Sequence, residues 1–151
     1  MIKWIVRILG VLVAALLILF LIFRTPDTDR EEMRAKYGGE SSQFVTLSTG
    51  QDVHFRDEGP RDGEVIVLLH GANSSLHTWD QWTKALTDEY RVVRLDQIGH
   101  GLTGPATDGD YSKERFVATV DALADHLKLE SFVIAGNSMG GWVSTSYAMA
   151  H

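Results

Sequence analysis

Read from the amino end, the chain changes character twice. Residues Ile8 to Phe23 are a run of 16 without a polar side chain, preceded by Lys3 and Arg7 and closed by Arg24. Counted from Trp4 the run is 20 residues with one cation, Arg7. A helix rising about 1.5 Å per residue needs about 20 residues to cross a hydrocarbon core of roughly 30 Å. Lys3 and Arg7 can snorkel to the headgroups, and Trp4 suits the interface. A removed signal peptide would have an apolar region of only about 7–15 residues ending at a small-residue site. Leu21-Ile-Phe-Arg-Thr-Pro26 stands there instead. Residues 1–24 are therefore expected to be an uncleaved single-pass anchor, in the membrane through residues 4–23. A short cationic N-terminus held inside would export the rest to the extracytoplasmic side.

Residues 25–42 are charged. Thr25-Pro26 is expected to break the membrane helix, and Asp27 to Tyr37 to form a short solvated helix with acids in its first turn and bases in its last. Gly38-Gly39 should stop it, and the segment reads as a spacer holding the domain off the bilayer. From residue 43 the pattern turns to strands and helices. Gln43–Ser48 and Gln51–Arg56 alternate around Thr49-Gly50 as a β-hairpin. Val65–Leu69 is a continuous apolar run, as in a strand covered on both faces, and Arg91–Leu95 is another strand. Ser75–Leu86 has near-helical spacing, Ser112–Leu127 is a clear amphipathic helix, Ser131–Ala135 is a strand and Met139–His151 a final helix. A hairpin followed by alternating strands and helices predicts an α/β domain, with parallel strands and helices on both faces.

With 151 residues the chain is about one domain long. It has no cysteine, which excludes a disulfide scaffold, a Cys-ligated zinc site and a thiol nucleophile. Its net charge is −6, and −8 once residues 1–23 with Lys3 and Arg7 are set aside. A nucleic-acid partner would need a basic footprint.

The chemistry concentrates in Phe132-Val-Ile-Ala-Gly136-Asn137-Ser138-Met139-Gly140-Gly141, a G-x-S-x-G sequence between a strand and a helix. So tight a turn forces Ser138 into a strained backbone and leaves no room for side chains at positions 136 and 140. The strain lifts the hydroxyl above the sheet, at a helix start whose free N–H groups favour negative charge. Two other segments follow strand ends at the same edge of the sheet. After His70, Gly71 lets its loop pass close to the serine turn, so that the N–H groups of Ala72 and Met139 can form an oxyanion hole. Asp96-Gln-Ile-Gly99-His100-Gly101 is a Gly-rich turn at the edge where open α/β sheets bind ligands. His70 is expected to brace its loop rather than act as a base, and Asp96 to brace its turn rather than orient a histidine. His54, His77 and His126 read as surface residues. Trp79, Trp82 and Trp142 read as core packing.

These segments, Leu68-Leu-His70-Gly71, Asp96-x-x-Gly99-x-Gly101 and Gly136-Asn-Ser138-Met-Gly140-Gly141, together resemble the α/β-hydrolase family in its serine-nucleophile branch, over about residues 43–151. His70-Gly-Ala-Asn-Ser-Ser-Leu-His-Thr-Trp79, the Thr25-Pro26 tether and Leu102-Thr-Gly-Pro105 are similar to a membrane-anchored bacterial subgroup. The resemblance implies a hydrolase acting on an ester, thioester or amide through an acyl-enzyme on Ser138, with no metal or organic cofactor. With the anchor, it points to a small, lipophilic acyl substrate. Asn137 and Met139 are also compatible with a carbon–carbon-bond hydrolase.

In that family the acid and the histidine follow the serine. Only 13 residues follow Ser138; they hold no acid, and their one histidine, His151, would lie about 20 Å away along a helix. His100 is nearest the expected site and is the only imaginable substitute. The 151 residues are thus expected to be the N-terminal part of a longer protein, cut before the cap and the acid and histidine strands. A non-catalytic ligand-binding module on the same fold is the rival expectation.

Overall fold

The computed structural model describes residues 2–25 and 27–151; Pro26, expected to break the first helix, lies outside them. Helix α1, Ile2–Phe23, buries none of its side chains, and among the described residues it is the one helix long and apolar enough to cross a membrane. Helix α2, Arg30–Tyr37, starts at Asp29, whose carboxylate accepts the Glu32 N–H at 2.9 Å. It carries Glu31 and Glu32 in its first turn and Arg34 and Lys36 in its last, and it stops at Gly38.

The remaining elements are β1 (Ser42–Thr46), β2 (Asp52–Glu58), β3 (Val65–Leu69), α3 (Asp80–Leu86), β4 (Arg91–Leu95), α4 (Lys113–Leu127), β5 (Val133–Gly136) and α5 (Met139–Ala150). They build one five-stranded sheet in the order β1-β2-β4-β3-β5. The β1, β2 and β4 neighbours run antiparallel, while β4, β3 and β5 run parallel. This is the mixed α/β architecture expected from a hairpin followed by βαβ units.

Strand alternation divides the core. Val53, Phe55, Val67, Leu69, Val93 and Leu95 join Phe116, Val120 and Leu123 of α4 and Val143 and Tyr147 of α5 in one buried cluster. The opposite face is covered by α3 and the 3-10 turn before it, and its centre is charged. There the buried Arg94 donates to the Leu76 carbonyl at 3.2 Å and pairs with Glu58 and Asp80. Edge strand β5 leaves Val133 61% exposed.

Two expectations need correction. The segment expected as one helix over Ser75–Leu86 is a 3-10 turn, Leu76–Trp79, followed by α3. The turn is pinned because the Leu76 N–H donates to Asp96 Oδ1 at 2.7 Å while the Leu76 carbonyl receives Arg94. Within the charged linker, α2 lies against the domain, Arg30 donating to the Thr103 carbonyl at 3.2 Å and Arg34 lying over the Phe44 ring. Of the tryptophans expected in the core, Trp82 and Trp142 are exposed; Trp82 meets Trp79 edge to face and Trp142 meets Phe116 likewise.

Candidate active site

Parallel register sets the site. Leu69 stands opposite both Leu95 and Gly136, so the loops after β3, β4 and β5 leave the sheet at one edge. The last of these turns directly into α5. Ser138 has φ 53° and ψ −116°, outside the regions that L-residues favour, and its side chain makes no capping hydrogen bond to the helix it starts. Three hydrogen bonds hold the turn: Asn137 N–H to the Leu69 carbonyl (3.1 Å), Gly140 N–H to the Asn137 carbonyl (2.8 Å) and Trp142 N–H to the Ser138 carbonyl (3.1 Å). Asn137 and Ser138 are exposed. Met139 is the first residue of α5, so helix geometry leaves its N–H without an intrahelical acceptor.

The glycines answer to close approach. A β-carbon on Gly136 would stand 2.2 Å from the Gly140 carbonyl carbon and oxygen, so that position faces the turn's own far side. One on Gly140 would stand 2.1 Å from the Leu69 carbonyl oxygen, so the helix start rests on the end of β3. Gly71 brings the loop after β3 alongside: its β-carbon would be 3.3 Å from both the Asn137 oxygen and the Ser138 β-carbon. Ala72, next in that loop, is exposed.

His70 is fully buried behind this loop. Its Nε2 accepts the Gln97 N–H at 3.0 Å, which places the ring proton on Nδ1, and Nδ1 donates to the Gly71 carbonyl at 2.7 Å. Gln97 returns a side-chain N–H to the His70 carbonyl at 2.5 Å. Burial pushes the His70 pKa down, against the Gly71 hydrogen bond and the Asp96 charge, and the facing His100 lowers it further. Gln97, absent from the sequence-based expectations, is thus the second half of this brace.

Asp96 is buried and saturated. Oδ1 accepts from Leu76 N–H (2.7 Å); Oδ2 accepts from Leu102 N–H (2.8 Å) and from His54 Nδ1 (2.7 Å). Burial alone would raise its pKa, but His54 and the two backbone N–H groups outweigh that and lower it. Gly101 has φ +48°, and a β-carbon there would meet Asp96 Oδ2 at 2.1 Å; only glycine lets the loop fold over this carboxylate. Gly99, at φ +81°, lies under Tyr111. Asp96 therefore does orient a histidine as well as brace its turn, contrary to expectation. His54 is no surface residue: it is 0% exposed, and its Nε2 lies 2.7 Å from Ser42 Oγ.

The histidines are all engaged away from Ser138 among the described residues. His77 meets the Tyr37 carbonyl and Asp80, and His100 the Ile98 carbonyl at 3.0 Å. His126 lies edge-on to Phe55, and His151 stacks on Tyr147 near Asp121. The structure thus gathers Ser138, Met139, Gly136, Gly140 and Gly71 in one place, with His70 and Asp96 as supports behind them.

A family model described as alpha/beta hydrolase fold matches residues 64–151. A putative 2-succinyl-6-hydroxy-2,4-cyclohexadiene-1-carboxylate synthase of Bacillus subtilis is 36% identical over 71% of this chain and 39% of its own length. A bifunctional esterase/perhydrolase of Acinetobacter calcoaceticus is 35% identical over 65% of the chain and 36% of its own. The crystal structure of an enol-lactonase from Burkholderia xenovorans superposes with a TM-score of 0.67 at 32% identity, over 72% of this chain and 42% of that one. The chain thus spans about two fifths of the length of these relatives. Strand order, serine turn and family match agree: the chain belongs to the α/β-hydrolase family.

Proposed function

We propose that the protein is a serine hydrolase of esterase type, with Ser138 as nucleophile. The observation that carries this is the backbone of Ser138, held at φ 53° and ψ −116° with an exposed side chain at the start of α5. Strain of that kind costs about 1–3 kcal/mol and is retained where it serves chemistry.

Ser138 Oγ attacks the carbonyl carbon of an ester, thioester or amide, and its proton passes to a base. The N–H groups of Ala72 and Met139 receive the developing oxyanion. The leaving alcohol, thiol or amine takes the proton, and water then hydrolyses the acyl-serine ester to free the acid and restore the hydroxyl. On this reading the base and its acid partner are not among the described residues, whose histidines all make their contacts away from Ser138. No metal or organic cofactor takes part. The substrate is a small, lipophilic acyl compound, reached by a domain anchored through α1 on the extracytoplasmic side.

Full-length protein and Ser138→Ala, assayed on a series of aryl and alkyl esters, test this. Turnover by the parent and none by the variant supports it; an active Ser138→Ala protein overturns it. One observation favours a second reading, a non-catalytic binding module: no histidine among the described residues bonds to Ser138. Tight binding of acyl compounds without turnover by the full-length protein would establish it.

A further inference from the structure

Helix α2 is attached to the catalytic edge of the sheet, and its attachment points come from the loops that flank the serine. Arg30 Nη2 donates to the Thr103 carbonyl at 3.2 Å, in the loop after β4. The Tyr37 carbonyl receives His77 Nε2 at 3.1 Å, from the segment after β3. Between them the Arg34 guanidinium lies over the Phe44 ring, 4.4 Å from its centroid. The Gly38 carbonyl closes the far end, taking Ser42 Oγ and Arg56 Nη2. Ser42 in turn touches His54, which is held by Asp96. The tether is therefore continuous with the hydrogen bonds that shape the loop after β4.

Chain length turns this docking into an orientation. Helix α1 ends at Phe23 and α2 begins at Arg30. Six residue steps from Arg24 reach at most about 21 Å, at roughly 3.5 Å each. A domain of about 110 residues has a radius of gyration near 13 Å, hence a breadth of roughly 35 Å. The edge carrying Thr103, His77 and Ser138 can lie at the bilayer surface while α2 stays docked. The opposite edge, where Val65 and Arg91 begin their strands, cannot be the nearer one.

We infer that docked α2 acts as a strap that turns the catalytic edge toward the membrane, so that the acyl substrate is a lipid or lipophilic amphiphile taken from the bilayer surface. The substrate half rests on Ser138 being the nucleophile; the orientation half does not. Beneath Met33 and Tyr37 a cleft of about 340 Å³ stays open. The strap is thus held by the named polar and cation–π contacts rather than by close packing, and removing them releases it.

The test uses full-length protein in phosphatidylcholine vesicles that carry an acceptor fluorophore on a fraction of the headgroups. A donor is placed by Gln81→Cys, exposed at the start of α3 on the catalytic edge, or by Asp62→Cys, exposed in the turn before β3. Energy transfer is expected to be several-fold greater from position 81. Twenty Gly/Ser residues inserted between Thr28 and Asp29, combined with Arg30→Ala and Arg34→Ala, should bring the two positions together. The same released protein should hydrolyse a long-chain ester held in vesicles about tenfold more slowly, and a soluble short-chain ester at the parent rate. Equal transfer from both positions in the parent, greater transfer from position 62, or a vesicle-ester rate that the release leaves unchanged overturns the inference. If the parent hydrolyses neither ester, the hydrolase reading fails and with it the substrate half; the transfer measurement still decides the orientation.

Discussion

The carbonyl oxygen of Leu69 occupies the place where Gly140 would carry a side chain, 2.1 Å from the position of its β-carbon. One contact thereby joins the end of β3, which leads into His70 and Gly71, to the start of α5, which presents Ser138. Because that neighbour is backbone at the end of a central strand, it cannot swing aside. Gly140→Ala must push α5 off β3, and overpacking of this kind costs about 1–3 kcal/mol. Gly136→Ala meets the Gly140 carbonyl at 2.2 Å and should behave alike. Both variants are expected to lower the urea midpoint and, on the proposed mechanism, to lose most ester hydrolysis. Gly141→Ala, whose nearest contact would be 3.3 Å, should lose much less of each.

Replacing the strained serine separates stability from chemistry. Glycine adopts positive φ without steric cost, so Ser138→Gly should gain about 1 kcal/mol and raise the melting temperature by roughly 2–4 °C. Ser138→Ala keeps a β-carbon and should melt close to the parent. Neither variant should turn over an ester. A Ser138→Gly protein that melts below the parent would show that the turn stores no strain.

The His54–Asp96 pair ties β2 to the loop after β4 from within the protein. Removing one member strands a buried group, at a cost of about 3–5 kcal/mol; His54→Ala and Asp96→Asn should each lower stability on that scale. Asp96 has a folded pKa below its ordinary 3.8. Its contribution is therefore complete above about pH 3.8 and lost as pH falls through the folded value. Urea titrations between pH 5 and 2 should show a steeper acid loss for the parent than for Asp96→Asn.

His70 acts in a higher window. Its folded pKa lies below the ordinary 6.5, so the unfolded chain takes up a proton that the folded protein refuses. Stability from this source is complete above about pH 6.5 and falls as pH drops through the folded value. His70→Phe fills the space but leaves the Gln97 N–H and Gly71 carbonyl unpaired, at about 1–3 kcal/mol each. It should be less stable at pH 8 and have a flatter profile between pH 6.5 and 5. On the proposed mechanism its kcat should fall more than its KM rises, because Gly71 leads into Ala72, whose N–H is proposed to receive the oxyanion.

Local chemistry was legible in the sequence wherever it was decided locally. Strands Val65–Leu69 and Arg91–Leu95 occupy the predicted residues, being apolar runs between turn signals. Ser112 caps α4 through the Arg115 N–H, within four residues of chain. Contacts between distant segments were not legible. Nothing beside His54 announces Asp96, 42 residues on. Alternation with Val53 and Phe55 would place His54 on a wet face, but the tether and the turn before α3 cover that face. The docking of α2 was hidden for the same reason: its sequence is dominated by charged residues, and its partners Thr103 and His77 lie far along the chain.

The most direct test of the central claim is labelling of the full-length protein, in native membranes, with a fluorophosphonate probe, followed by identification of the modified peptide. A single adduct on the peptide spanning Gly136 to Gly141, absent from Ser138→Ala, is the result expected of an activated serine. Full-length protein that stays unlabelled, or an adduct that survives Ser138→Ala, would contradict the assignment of Ser138 as nucleophile.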